Sequence, residues 1–160
     1  MMGNERRVYP EVNKFVERLS QLDVSGRARL KRNAGKTLAE ARNLALFYQI
    51  LPPGVSAYQE EMYFLAATLL PQVENRDCGN LGYSLRQTQT ASNKKGLDRR
   101  IEILLDADET QLPFRLRQAI HLLSSNRVSI NWSRLLQDLL DWYSPSRFVQ
   151  KDWARSYFAE

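Results

Sequence analysis

The sequence predicts an all-α protein, built as two small packed lobes with about eight to nine helices in all. Three observations carry that prediction. Apolar residues recur at helical spacing from Val12 to Tyr157, helix-capping signals open several of the stripes, and no alternating strand pattern of useful length interrupts them.

The first stripe is Val12, Phe15, Val16, Leu19 and Leu22, on a helix that Pro10 opens. A short second helix reads from Gly26 to Ala34, with Ser25 as its N-cap and Gly35 as its stop. Thr37 and Glu40 have capping-box spacing, which predicts a third helix running to Pro52-Pro53-Gly54. Ser56 and Gln59 repeat the device for a fourth, ending before Pro71. Residues 71–80, rich in Asn, Asp and Gly, are the expected hinge between an N-terminal lobe (1–72) and a C-terminal lobe (73–160). Beyond it, Leu81 to Gln87 reads as a short helix and Thr88 to Gly96 as a flexible, positively charged loop. Leu97, Ile101, Leu104 and Leu105 stripe the next helix, which fades into the acidic run Asp106 to Glu109. Pro113 suits an early helical position before Leu116, Ile120 and Leu123. Asn131 caps the strongest helix, with Trp132, Leu135, Leu136, Leu139 and Tyr143 turned inward, and Val149, Trp153 and Tyr157 stripe the last.

Composition narrows the class. In 160 residues, 43% are apolar, with three Trp, seven Tyr and six Phe, so the chain can bury a core and is not wholly disordered. A net charge of +5 favours a polyanionic partner. The lone Cys78 cannot form an intramolecular disulfide, and Met1 to Arg7 has no apolar signal-peptide core; a reducing, cytoplasmic setting is expected. The longest apolar run, Met62 to Leu70, has nine residues with Thr68 counted, against the roughly 20 a membrane span needs.

Chemistry-bearing groups are sparse. One His (His121) and one Cys leave zinc sites and Cys-His or Ser-His arrangements short of members, and His121 reads as a packed or surface histidine. No glycine-rich phosphate loop is present. The pairs Asp106/Asp108 and Asp138/Asp141 read as exposed, solvated acids rather than catalytic dyads. A non-enzyme with no cofactor and no metal is expected.

The basic residues are distributed less evenly. Between Val24 and Ala39 stand Arg27, Arg29, Lys31, Arg32 and Lys36 with no acid among them. Like charges at i, i+3 and i, i+4 destabilise an isolated helix by a few tenths of a kcal/mol per pair, and an external phosphate removes that repulsion. A second cluster is Arg86, Lys94, Lys95, Arg99 and Arg100, opposed locally by Asp98; a third is Arg115, Arg117 and Arg127. No aromatic is interleaved with them, which argues for backbone contact rather than base stacking. A basic helical adaptor for acidic protein partners would use the same arginines and remains the alternative.

In the C-terminal half, Leu81-Gly82, Ser84-Leu85, Asp98-Arg99-Arg100, Leu104-Leu105, Leu116-Arg117 and Leu122-Leu123 follow in order. Ile130-Asn131-Trp132 then enters Leu135 to Trp142, and Trp153-Ala154-Arg155 and Tyr157 close the chain. With the basic stretch Arg27 to Arg32, this order and spacing resembles the CasB-type small subunit of the type I-E CRISPR Cascade surveillance complex, from about Val12 to Phe158. The resemblance implies a non-catalytic, all-helical subunit for antiviral defence, present beside a second copy of itself and the backbone and large Cascade subunits. It implies contact with single-stranded and R-loop DNA in a guide RNA complex, where base pairing reads sequence and protein holds charge and shape. By that resemblance Arg27, Arg29, Lys31 and Arg32 match the family's N-terminal basic helix, and Arg99, Arg100 and Arg117 match basic positions of its C-terminal lobe. Arg86, Lys94 and Lys95 are candidates on charge alone. The acidic run Asp106 to Glu109 interrupts any continuous basic groove.

Overall fold

The structure, a computed structural model, describes residues 9–159; the stretch Met1 to Arg7 lies outside them. Nine α-helices and one 3-10 turn, with no strand, make up the regular structure among the described residues, as the periodicity predicts. They are α1 (Pro10–Ser20), α2 (Val24–Lys31), α3 (Ala45–Ile50), α4 (Ala57–Leu69), the 3-10 turn Leu70–Gln72, α5 (Leu81–Arg86), α6 (Lys94–Leu105), α7 (Leu112–Ser125), α8 (Trp132–Leu140) and α9 (Phe148–Phe158).

Two capping signals hold as read. Ser56 and Gln59 form a full capping box on α4, and the Asn131 side chain accepts from the Arg134 backbone N–H at 3.0 Å to open α8. α8 then lies across both α1 and α4, burying Trp132, Leu135, Leu136 and Leu139 in one core cluster shared by residues on either side of position 72. Residues 71–80 are stitched to the start of α8. Arg76 N–H donates to Ile130 O at 2.9 Å, Ile130 N–H to Glu74 O at 3.0 Å, and the Trp132 indole to Val73 O at 3.1 Å.

Elsewhere local chemistry moves the boundaries. α2 starts at Val24, because Asp23, not Ser25, accepts from the Gly26 backbone N–H (2.7 Å). Thr37 N–H does donate to Glu40 Oε1 at 2.9 Å, but only a turn follows, and α3 begins at Ala45. The Asn33 side chain occupies both backbone groups of Arg42 (2.8 and 3.2 Å), and Asn43 takes a left-handed φ of 59°, so the helical ladder cannot propagate there. α6 begins at Lys94, so Lys94 and Lys95 lie in its first turn rather than in a flexible loop. Asn93 bonds Thr90 N–H (2.7 Å) and Thr88 O (2.9 Å), ordering the segment before it.

The acids of α8 are a correction. Asp138 and Asp141 are buried, at 1% and 7% exposure, not solvated. α9 packs over Asp138, whose Oδ2 accepts from the Trp153 indole at 2.8 Å, and Asp141 Oδ1 accepts from the Tyr9 hydroxyl at 2.8 Å. Tyr143, expected inside, is exposed just beyond the helix end, edge-on to Tyr58 with ring centroids 5.6 Å apart.

α5 and α9 approach so closely that a Cβ on Gly82 would lie 2.2 Å from the Trp153 carbonyl oxygen. That neighbour is backbone and cannot yield cheaply. Gly82→Ala is therefore expected to destabilise the fold by about 1–3 kcal/mol or more in urea unfolding. Gly96→Ala, in α6 with nothing within 4 Å of the added Cβ, is expected to stabilise it by about 0.5–1 kcal/mol.

Candidate nucleic-acid interface

A helix ends with carbonyls that lack intrahelical partners and carry negative partial charge. Among the described residues, four arginines satisfy such carbonyls on other segments. Arg18 donates to Ile50 O at the end of α3 (3.3 Å), Arg27 to Ser20 O at the end of α1 (2.7 Å), and Arg147 to Leu105 O at the end of α6 (2.8 Å). Arg86 donates to Tyr157 O (2.9 Å) and to Ala159 O at the end of α9. Of the sequence-predicted binding residues, Arg27 and Arg86 thus sit half-buried and fasten helix ends.

A second group lies in mixed charge. Lys94 pairs with Asp98 at 2.8 Å, and Asp98 also accepts from the Tyr157 hydroxyl at 2.8 Å. The bonds from Lys94 and Tyr157 hold the Asp98 carboxyl below its usual range, while burial, with Asp98 beside it, pushes the Tyr157 phenol up to about 12. Lys95 and Arg99 share a shallow surface depression with Asp98, Glu102 and Asp106, two cations against three carboxylates. That surface is poorly suited to a polyanion.

The third group converges. Lys31 from α2, Arg100 from α6 and Arg117 from α7 line one open cleft of about 580 Å³, together with His121. Gln72, Gln118 and Ser125 add hydrogen-bonding groups, Phe114 and Leu122 add apolar surface, and among the described residues no carboxylate lines it. The α7 contribution follows from helix geometry, since Phe114, Arg117, Gln118, His121 and Ser125 fall at i, i+3, i+4, i+7 and i+11, opposite the buried Leu112, Leu116, Ala119, Ile120 and Leu123. Arg117 reaches back to the turn after α2. Its side chain lies where a Cβ on Gly35 would approach within 3.0 Å, and Gly35 has a φ of +85°. The adjacent Arg99 and Arg100 diverge around α6, Arg99 toward the mixed depression and Arg100 toward the cleft. Arg29 and Arg32 stand exposed on and just after α2, outside the lining.

Gln72, Phe114, Gln118, His121 and Ser125 were missed as site residues by the sequence reading. The stripe along α7 is the signal that finds them. Three cations in a cleft that no described carboxylate lines offer a seat for an extended anion. Among the described residues no three His, Cys, Asp or Glu side chains group as metal ligands, and no helix is long and apolar enough to cross a membrane.

Residues 26–158 match the family profile described as CRISPR-associated protein Cse2. The chain belongs to the Cse2 family. A Cse2 protein of Thermus thermophilus is 44% identical over 70 residues, a stretch covering 44% of this chain and 40% of that relative's length. The crystal structure of CasB from Thermus thermophilus superposes with a TM-score of 0.78 at 30% identity, covering 94% of this chain and 97% of that one. M. ruber CasB gives 0.77 at 30%, covering 92% of each. A chain of a structure described as a CRISPR RNA-guided surveillance complex shares the Cse2 fold, with a TM-score of 0.77 at 24% identity over 92% of this chain and 91% of that one.

The division between fastening and free arginines is measurable. Arg86→Met is expected to lower the unfolding free energy by about 1 kcal/mol or more, because carbonyls at the end of α9 lose a charged donor. Lys31→Met and Arg100→Met are expected to stay within about 0.5 kcal/mol of the parent in the same urea titration.

Proposed function

We propose that this chain is a non-catalytic, nucleic-acid-binding subunit of a CRISPR RNA-guided surveillance complex. In that role it holds the target and displaced strands of an R-loop by their phosphates, beside a second copy of itself and the other Cascade subunits. One observation carries the reading: Lys31, Arg100 and Arg117 meet from three helices in a cleft that, among the described residues, no carboxylate lines. Such a cleft attracts polyanions without reading sequence, as suits a complex in which guide pairing supplies specificity. Membership of the Cse2 family supports the assembly. The arginines suit phosphate particularly, since a planar guanidinium offers two parallel donors. Arg29 and Arg32 extend the positive surface along α2, whereas Arg99, Lys95 and Lys94 lie toward carboxylates and contribute less. The non-catalytic assignment rests on the lining of the cleft, in which His121 has no carboxylate to orient it.

The test is a single-stranded DNA titration at several salt concentrations. Replacing Lys31, Arg100 and Arg117 together with Ala is expected to weaken binding and reduce the slope of log K against log salt by about 2, given roughly 0.7 per phosphate contact on single strands. An unchanged slope would remove the cleft from the function. Retention by an acidic protein with none by DNA would favour the adaptor instead.

A further inference from the structure

We infer that Phe114 is a stacking platform for an unpaired nucleic acid base, so that the cleft takes a single strand with at least one base turned out. This inference rests on the nucleic-acid reading above and adds to it a contact that charge alone does not provide. Phe114 is 54% exposed. It stands on the outward stripe of α7 with Arg117, Gln118 and His121, so the core makes no use of it, and a polar residue there would satisfy the fold equally well. A large ring in water among cations is out of place on the polar face of an amphipathic helix.

Its surroundings give the ring a purpose. The Arg115 guanidinium carbon lies 5.3 Å from the ring centroid, and Arg115 donates to Gln118 Oε1 at 3.3 Å. Arg115 opens onto the neighbouring depression between α6 and α7, whereas Phe114 lines the basic cleft. The ring thus has a cation over it and lines the same cleft as Lys31, Arg100 and Arg117. A base laid on the free side would bring its own phosphates to those cations. Every base has a π-face, so the contact tolerates any sequence. Base faces inside a duplex are already stacked, so only an unpaired strand can use it.

Two probes separate stacking from charge: an oligodeoxythymidylate of about 12 nucleotides, and the same backbone with every base removed. One stacked base contributes about 5- to 150-fold in affinity. The parent chain is expected to prefer the base-bearing strand by a factor in that range. Phe114→Leu, which keeps an apolar side chain at an exposed position, is expected to bring the preference toward one while leaving abasic affinity and the salt slope unchanged. Phe114→Tyr is expected to retain the preference. A parent chain that binds both strands equally, or a leucine variant that keeps the full preference, overturns the stacking role while the phosphate reading stands. Failure of both strands to bind with any salt dependence overturns the two together.

Discussion

Two carboxylates inside the protein fasten both ends of the described chain to one helix. A buried carboxylate costs several kcal/mol unless its oxygens are satisfied. Asp138 and Asp141 take donors from opposite ends, the Trp153 indole in α9 and the Tyr9 hydroxyl before α1. Arg134 Nε lies 3.6 Å from Asp138 as well. Apolar packing alone would let α9 slide or rotate over α8; hydrogen bonds to a buried charge admit few geometries. From that anchorage the route to the cleft runs both ways. α9 packs on α5 at Gly82 and holds α6 through Tyr157 and Asp98, which sets the position of Arg100. α1 and α4 pack on α8, and α4 carries α2 with Lys31.

How much of this was legible depends on whether local residues or distant ones decide. α4 and α8 announce themselves because their caps are local, in Ser56–Gln59 and Asn131. α3 was not readable from Thr37 and Glu40, because the side chain of Asn33, on the preceding turn, takes the backbone groups that helix needs. The burial of Asp138 and Asp141 was hidden for a related reason. An amphipathic stripe reveals one buried face, whereas Asp138 is covered by Trp153 from α9 and Asp141 by Tyr9 from before α1. The site followed the same rule. Positive clusters were visible as neighbours in sequence, but the cleft joins residues 31, 100 and 117, which only the packing of α2, α6 and α7 brings together. Phe114 was in plain view directly before Arg115 and Arg117, but a search for aromatics between basic residues passes over one that flanks them, and His121 joins it only on a face assembled every third or fourth residue.

The arginines show why a net charge is a poor measure of binding capacity. Arg18, Arg27, Arg86 and Arg147 spend donors on carbonyls at helix ends, where a guanidinium's several N–H groups can span two segments. These positions belong to the fold. Lys94 is neutralised by Asp98. What an outside anion meets is set less by the +5 total than by placement, and it is concentrated where, among the described residues, no carboxylate lines the surface.

The cleft has a thermodynamic consequence that follows from its origin in three helices. Holding Lys31, Arg100 and Arg117 side by side raises the energy of the folded chain by mutual repulsion, a load the core must carry when the cleft is empty. An anion that settles there lifts the load and binds the folded state more tightly than the dispersed charges of the unfolded one. Occupancy and stability are then linked, each favouring the other. Motions that part α2 from α7 would become rarer with such an anion in place. Such an anion would act as a clasp across the two halves of the sequence, and the empty protein would be the looser of the two.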